Sequence, residues 1–394
     1  MTYEKTTRAI EEKRMKRRIK CNKIIDNGEI FASYVYFENG KITAVTNEEL
    51  PFDEQIDAGD NYLSAGFIDT HTHGAVGYDF TFCNAEEAIK ACDYLFSHGT
   101  TTILPTTLAS DLQNTTKALN CLQQAQQSNK SKCCIAGAHI EGPYFAVEMA
   151  GAQNQKFLTD PIENDYKQII ESFGDFVKKW SYAPERDKQA KFCKYLTSRG
   201  VLASAGHTNA VFDDIKVAYQ SGLRCITHLY SCTSTITRKG GFRRLGVVES
   251  AYYFDDMYVE LIADGKHLPL DLINLIFKLK KDGTIMLVSD SLSITGSDCA
   301  VGTLNGVPYI VEDGVAKLAD RSAFAGSVAT VDVLVRQCVL AGIPLPKIIK
   351  AASQTPAEAL HLNKGRVAVG FDAEFVIFDK DINVLHVIGK NGEI

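Results

Sequence analysis

The stretch Tyr62-Leu63-Ser64-Ala65-Gly66-Phe67-Ile68-Asp69-Thr70-His71-Thr72-His73 decides the fold. Its apolar run reads as a buried strand, and its end carries two histidines two residues apart. Residues i and i+2 of a strand face the same side. Both imidazoles therefore point to one place just beyond the sheet. A first-row metal needs that arrangement: borderline nitrogen ligands held rigidly together. One such pair is weak evidence, and its weight comes from later strands that end the same way.

From Ser64 onward, buried strands alternate with helical stretches. Strand candidates fall at 65–70, 100–105, 134–140, 180–183, 201–205, 225–227, 257–262 and 284–289, with helical patterns at 85–98, 115–127, 188–198, 211–221 and 270–280. Alternating β and α with apolar strands indicates a parallel sheet, and eight repeats indicate a closed (β/α)8, TIM-like barrel. Before the barrel, Asn27-Gly28 and Asn39-Gly40 separate three short strands of a meander. Strand signals return after Ser291, with turns at Asn305-Gly306 and Asp313-Gly314. Helical stretches follow at 330–340 and 345–360, and the tail from Gly370 to Asn391-Gly392 is again β. The expected organisation is a charged extension over 1–18 and a barrel over 63–363. A small β-sandwich would be built from 19–62 and 364–394, with 300–320 as a possible contributor.

Barrel enzymes place chemistry at the carboxyl ends of the strands. Strand one ends in His71 and His73, strand three in Glu141, strand five in His207, strand six in His228 and strand eight in Asp290. Each alone has a mundane reading, since a His after a strand can cap the next helix and a terminal Asp is often an N-cap. Four imidazoles and two carboxylates at one barrel mouth point instead to a metal site. His139 shares the side of Glu141 and reads as either its support or a satisfied core histidine. Asp69 reads as support for the histidine pair or a simple strand end.

Composition excludes other classes. The chain has 394 residues, 45% hydrophobic and 23% charged, with a formal net charge of -6. That balance argues against nucleic acid as a partner. No apolar run approaches the roughly 18 residues of a membrane span, so no membrane partner is expected. The 11 cysteines are odd in number and scattered, which suggests reduced thiols and a cytoplasmic location. The Lys-, Arg- and Glu-rich run over 4–20 has no apolar stretch behind it, so it reads as a solvated, partly helical extension and not a secretory signal.

The ligand pattern resembles the amidohydrolase superfamily: HxH after strand one, single histidines after strands five and six, and Asp after strand eight. In His139-Ile140-Glu141-Gly142-Pro143, Glu141 stands where many members carry a bridging lysine. With Gly206-His207-Thr208-Asn209-Ala210, Thr227-His228-Leu229-Tyr230, Ile262-Ala263-Asp264-Gly265-Lys266-His267 and Ala325-Gly326-Ser327, the chain is similar to the N-acetylglucosamine-6-phosphate deacetylases within it. The resemblance runs from about Ile30 to the end. It implies a barrel with a small β domain, a homodimer, and removal of the acetyl group from an N-acetyl-amino-sugar 6-phosphate. Glu141, His207 and His228 form the open three-ligand set of a hydrolytic metal, and Asp290 is the expected general base. Because His71 and His73 are both present, one or two divalent ions per chain are expected, zinc or iron, with Glu141 bridging and Asp290 nearby.

The same resemblance implies a substrate pocket of Ala152, Gln153, Ser231, Cys232, Asp264, Gly265, Lys266, His267, Phe324, Ala325 and Gly326. It also implies a phosphate-binding residue in the loop after strand six, best matched by Arg243, with Lys239 as the alternative, within the run from Arg238 to Gly246. Three departures stand out. Gln153 replaces a usual His, Ser231-Cys232 replace Asn-Ala, and the basic loop carries an insertion. They keep open a different amino-sugar phosphate, such as N-acetylgalactosamine 6-phosphate, or a cyclic amide. A non-catalytic sugar-phosphate sensor would be signalled by loss of Asp290, which is present.

Overall fold

A computed structural model describes residues 15–390. Eight parallel strands follow one another in chain order: Phe67–Thr72, Thr100–Thr107, Ala138–Glu141, Val177–Tyr182, Leu202–Ala205, Cys225–Ile226, Tyr258–Leu261 and Ile285–Leu287. The last and first strands share no ladder among the described residues, and are stitched together by backbone bonds just past the end of the last strand. The Asp290 N–H donates to the His71 carbonyl at 2.8 Å, and the His73 N–H donates to that of Ser291 at 2.8 Å. The closing seam of the barrel therefore passes through two of the expected ligand positions. The region 134–140 is two pieces, not one. Cys134–Ile135 pairs only with the second strand, and Ala138–Glu141 follows Gly137, whose φ of +156° lets the chain turn where a Cβ would meet the Phe176 carbonyl at 2.6 Å.

Alternation along the strands sorts two layers. Trp180, Tyr182, Ala203, Val259 and Leu261 face outward into the main apolar core beneath the helices. The inward positions are more polar than the expected apolar strands: Lys179, Ser181, Ser204 and Glu260 are all fully buried. Two helices open with side-chain caps that satisfy free N–H groups. Asn84 and Glu87 form a reciprocal box before Ala85–Ser97, and Asp111 caps Leu112–Ser128. Helices Glu163–Phe173 and Val247–Tyr253 add to the expected helical stretches, the first with Tyr166, Ile169, Ile170 and Phe173 on its buried face, and the stretch 345–360 divides at Ser353 into Leu345–Ala352 and Gln354–Ala359.

The first and last strands of the described residues build one six-stranded mixed sheet. Its order is Val384–Ile388, Phe375–Phe378, Glu54–Ala65, Arg17–Asp26, Glu29–Glu38, Lys41–Thr46. Asn27-Gly28 and Asn39-Gly40 take positive φ at both turn positions, as a tight hairpin requires. Phe375 and Ile377 enter the sheet's own core, while Val376 and Phe378 enter the barrel core. Three expectations change here. Arg17 and Arg18 are strand residues, not extension, because Arg17 pairs with Glu54 and Arg18 is buried against Tyr36 and Gln55. The strand at 54–65 carries the small sheet past residue 62. Residues 300–320 do not join this sheet: Val301–Leu304, Val307–Glu312, Val315–Leu318 and Phe324–Gly326 form a separate antiparallel sheet. That sheet packs on Leu108, Ala152 and Leu292 at the barrel mouth. Residues 1–14 of the charged extension, and Asn391-Gly392, lie outside the described residues.

Candidate metal centre and active site

Backbone geometry at the strand ends aims the ligand candidates. His207, His228 and Asp290 all take left-handed φ, 47°, 30° and 48°. Such conformations are costly for non-glycine residues and persist where surroundings enforce them, often at functional sites. Gly206 lets strands five and six converge, since a Cβ there would meet the Thr227 side chain at 2.7 Å.

Two clusters of possible metal ligands result: Glu141 with His207 and His228, and His71 with His73 and Asp290, all six residues buried. Glu141 Oε1 lies 3.3 Å from His207 Nε2, 3.1 Å from His228 Nε2 and 3.3 Å from His71 Nε2, while its Oε2 lies 3.2 Å from His73 Nε2. Asp290 Oδ1 is 3.2 Å from His73 Nε2 and 3.5 Å from His71 Nε2. Glu141 thus touches both clusters, as the bridging role expected of it requires.

The far ring nitrogens of three of the four histidines are tied back, while buried His73 Nδ1 makes no hydrogen bond. His207 Nδ1 faces the Met149 carbonyl at 2.9 Å, His228 Nδ1 the Ser231 carbonyl at 3.1 Å, and His71 Nδ1 Glu260 Oε2 at 3.0 Å. Holding Nδ1 to an oxygen leaves Nε2 as the free lone pair, which is how ligating imidazoles are oriented. His207 Nε2 and His228 Nε2 stand only 3.1 Å apart, and buried His71 Nε2 makes no hydrogen bond. Converging imidazole and carboxylate donors, with the His71 Nε2 left without a hydrogen bond, suit a divalent ion of borderline softness.

Charges shift accordingly. Burial alone would lower His71 and His73, but Glu141 and Asp290, with Glu260 beside His71, outweigh it and raise them to about 9 and about 10. Burial would raise Glu141 and Asp290, yet the surrounding histidines hold both carboxyls below their usual range. Asp69 is pushed up to about 6 by burial, and its Oδ1 accepts from the His71 and Ser289 N–H groups, supporting the seam. His139 is no ligand: Ser181 Oγ lies 2.8 Å from its Nε2 and Thr106 Oγ1 3.2 Å from its Nδ1.

The mouth opens on a cavity of about 260 Å³. Of the expected substrate residues, Ala152, Gln153, Ser231, Cys232, His267, Phe324, Ala325 and Gly326 line it, beside His73, Glu141, His207, His228 and Asp290. Gln153 accepts from the Ala109 N–H at 2.9 Å and donates to Glu141 Oε2 at 2.6 Å, so it also orients the bridging carboxylate. Asp264, Gly265 and Lys266 are not in the lining, and Lys266 is exposed. Asp264 Oδ2 meets His267 Nδ1 at 2.8 Å and thereby aims the ring that lines the cavity. Arg243 is not in the lining. It lies on an exposed hairpin, Thr237–Lys239 with Phe242–Arg244, where it pairs with Arg238. Sequence reasoning missed Leu108, Tyr230, Leu304 and Ala323, which line the cavity. It also missed Lys179 and Glu260, whose only signal was a charge within each barrel strand.

These features define a barrel hydrolase with a metal-ligand mouth, and the chain belongs to the amidohydrolase family, which it matches over residues 62–393. Among proteins of known activity, it is 30% identical to an N-acetylglucosamine-6-phosphate deacetylase of Bacillus subtilis, covering 93% of this chain and 92% of that one. The structure of the Thermotoga maritima N-acetylglucosamine-6-phosphate deacetylase superposes with a TM-score of 0.85 at 30% identity, covering 95% and 98% of the two chains. A mutant of the Mycobacterium smegmatis enzyme in complex with N-acetyl-D-glucosamine-6-phosphate superposes with a TM-score of 0.88 at 25% identity, covering 96% and 99%.

Proposed function

We propose that the protein hydrolyses N-acetyl-D-glucosamine 6-phosphate to glucosamine 6-phosphate and acetate. The observation that carries this reading is the pair of ligand clusters sharing Glu141 in a cavity that Asp290 also lines. The chain's similarity to deacetylases of that substrate runs over nearly its whole length. Glu141, His207 and His228 would hold one divalent ion, zinc or iron, and His71, His73 and Asp290 a second. Such an ion lowers the pKa of water toward about 7 and polarises a carbonyl.

The chain's own groups handle the proton. Asp290 is ionised at neutral pH because His71 and His73 hold its pKa down. It takes a proton from the attacking water as oxygen adds to the acetamide carbon. It returns that proton to the sugar nitrogen as the C–N bond breaks, so the amine does not leave as an anion. His267, aimed by Asp264, and the Ser231–Cys232 wall hold the sugar, while Phe324 packs at 5.0 Å from the His267 ring. We further propose a homodimer in which the exposed basic hairpin serves a neighbouring copy, and a cytoplasmic setting in keeping with 11 free cysteines. Among the described residues no helix is long and apolar enough to cross a membrane.

Gln153, Ser231 and Cys232 shape the cavity where relatives of this kind differ, so the epimer is the point to test. Acetate release should be measured across N-acetylglucosamine, N-acetylgalactosamine, their 6-phosphates and a cyclic amide. The N-acetylglucosamine 6-phosphate reaction should have the highest kcat/KM. Preference for the galacto epimer, or turnover of the cyclic amide alone, would replace the assignment.

A further inference from the structure

Inside the barrel, beneath the ligand clusters, lies a charge pair that the proposed reaction does not use. Lys179 on strand four and Glu260 on strand seven are both fully buried, and Lys179 Nζ bonds Glu260 Oε1. The Thr70 hydroxyl also reaches Oε1, at 3.3 Å. Glu260 Oε2 accepts the His228 N–H at 3.3 Å and faces His71 Nδ1 at 3.0 Å. One carboxylate therefore touches a residue of each cluster: the ring of His71 and the backbone of His228.

The directions of these bonds are constrained. An ammonium and a backbone N–H can only donate, so both Glu260 oxygens are engaged as acceptors. His71 Nδ1 must then carry hydrogen and donate, so in the neutral, ligating ring the lone pair is on Nε2, aimed at Glu141 and Asp290. A neutral amide or a protonated carboxyl at this place could donate to Nδ1, putting the hydrogen on Nε2 and blocking ligation. Lys179 is what permits a buried anion here, since an unpaired buried charge is strongly unfavourable.

We infer that Glu260, held as an acceptor by Lys179, is a positioning residue that sets the His71 tautomer and thereby makes the His71–His73–Asp290 cluster a second metal site. This rests on the metal reading proposed above. Removal of an oxygen partner behind a ligating histidine typically weakens metal binding by about 10–100-fold.

The test counts zinc by equilibrium dialysis and elemental analysis on wild type, Glu260→Gln and the double variant Lys179→Met/Glu260→Leu. The double variant removes both charges together, a change that buried pairs often tolerate. The metal-free wild type and double variant should melt alike. Wild type should bind two zinc ions per chain, and both variants should bind the second about 10–100-fold more weakly while keeping the first. Wild-type affinity for both ions in the double variant would overturn the inference, as would equal weakening of both ions. Failure of the double variant to fold would assign the pair a structural role and overturn it too. A wild type that binds one ion overturns this inference alone, whereas one that binds none overturns the metal reading beneath it.

Discussion

At the scale of single residues, the site is a cluster of groups whose charges depend on one another. His71 and His73 sit at about 9 and about 10 in the metal-free protein, above the usual histidine value of about 6.5, because anionic carboxylates outweigh their burial. A raised folded-state pKa stabilises the metal-free protein fully below about pH 6.5, and this contribution fades as pH rises through about 9 to 10. Metal must displace those protons, since only a neutral imidazole ligates. Zinc binding at about pH 7 should therefore release protons and tighten as pH rises. Calorimetric titrations in two buffers of different ionisation enthalpy would show it as a buffer-dependent heat, and equal heats would mean the histidines were already neutral. The ligands themselves were legible because each stands at a strand end. Lys179 and Glu260 were not, because a charge inside a barrel strand reads locally as an exposed edge. Only the closed barrel brings strands four and seven together.

Among elements, the loops past the strands divide the labour. The expected phosphate arginine was legible as chemistry but not as location. Arg238, Lys239, Arg243 and Arg244 lie on a hairpin outside their own chain's cavity, and Phe242 at its turn is 81% exposed. Strand pairing within the hairpin, invisible in a Gly-rich basic run, sets that location. In the proposed dimer Arg243 meets the phosphate held by the other copy. Arg243→Ala should then lower kcat/KM for the 6-phosphate about ten- to a hundredfold, the scale of a lost bond to a charged group, and leave the unphosphorylated sugar nearly unchanged. Mixed dimers with His207→Ala should recover activity, because one cavity would combine intact ligands with an intact hairpin. Equal loss on both sugars would remove the hairpin from phosphate recognition. The sheet at 301–326 shows a similar limit. Its turns were readable, but Leu304 and Ala325 become cavity wall only by packing over Leu108 and Leu292.

For the whole molecule, the barrel and its small terminal sheet are one construction. Strand Phe375–Phe378 pairs with Glu54–Ala65 and sends alternate side chains into the two cores, so the chain's end locks its beginning against the barrel. The eight-strand pattern carried through because strand and helix periods alternate cleanly. The domain borders did not, because Arg17, Arg18 and Leu63–Ala65 pair with partners distant in sequence. Closure of the barrel through the Asp290–His71 and His73–Ser291 backbone bonds draws the two clusters around Glu141. Hydrolysis of an amino-sugar acetamide at that metal-ligand mouth follows from the proposed function. It is tested most directly by acetate release from N-acetyl-D-glucosamine 6-phosphate using protein stripped by a chelator and reloaded with zinc or ferrous iron, beside Asp290→Asn treated alike. Stripped protein should be inactive and the reloaded wild type active, with Asp290→Asn slower by about a hundredfold or more, the scale of a lost general acid–base group. Full activity in the stripped protein, or wild-type turnover by Asp290→Asn, would contradict it.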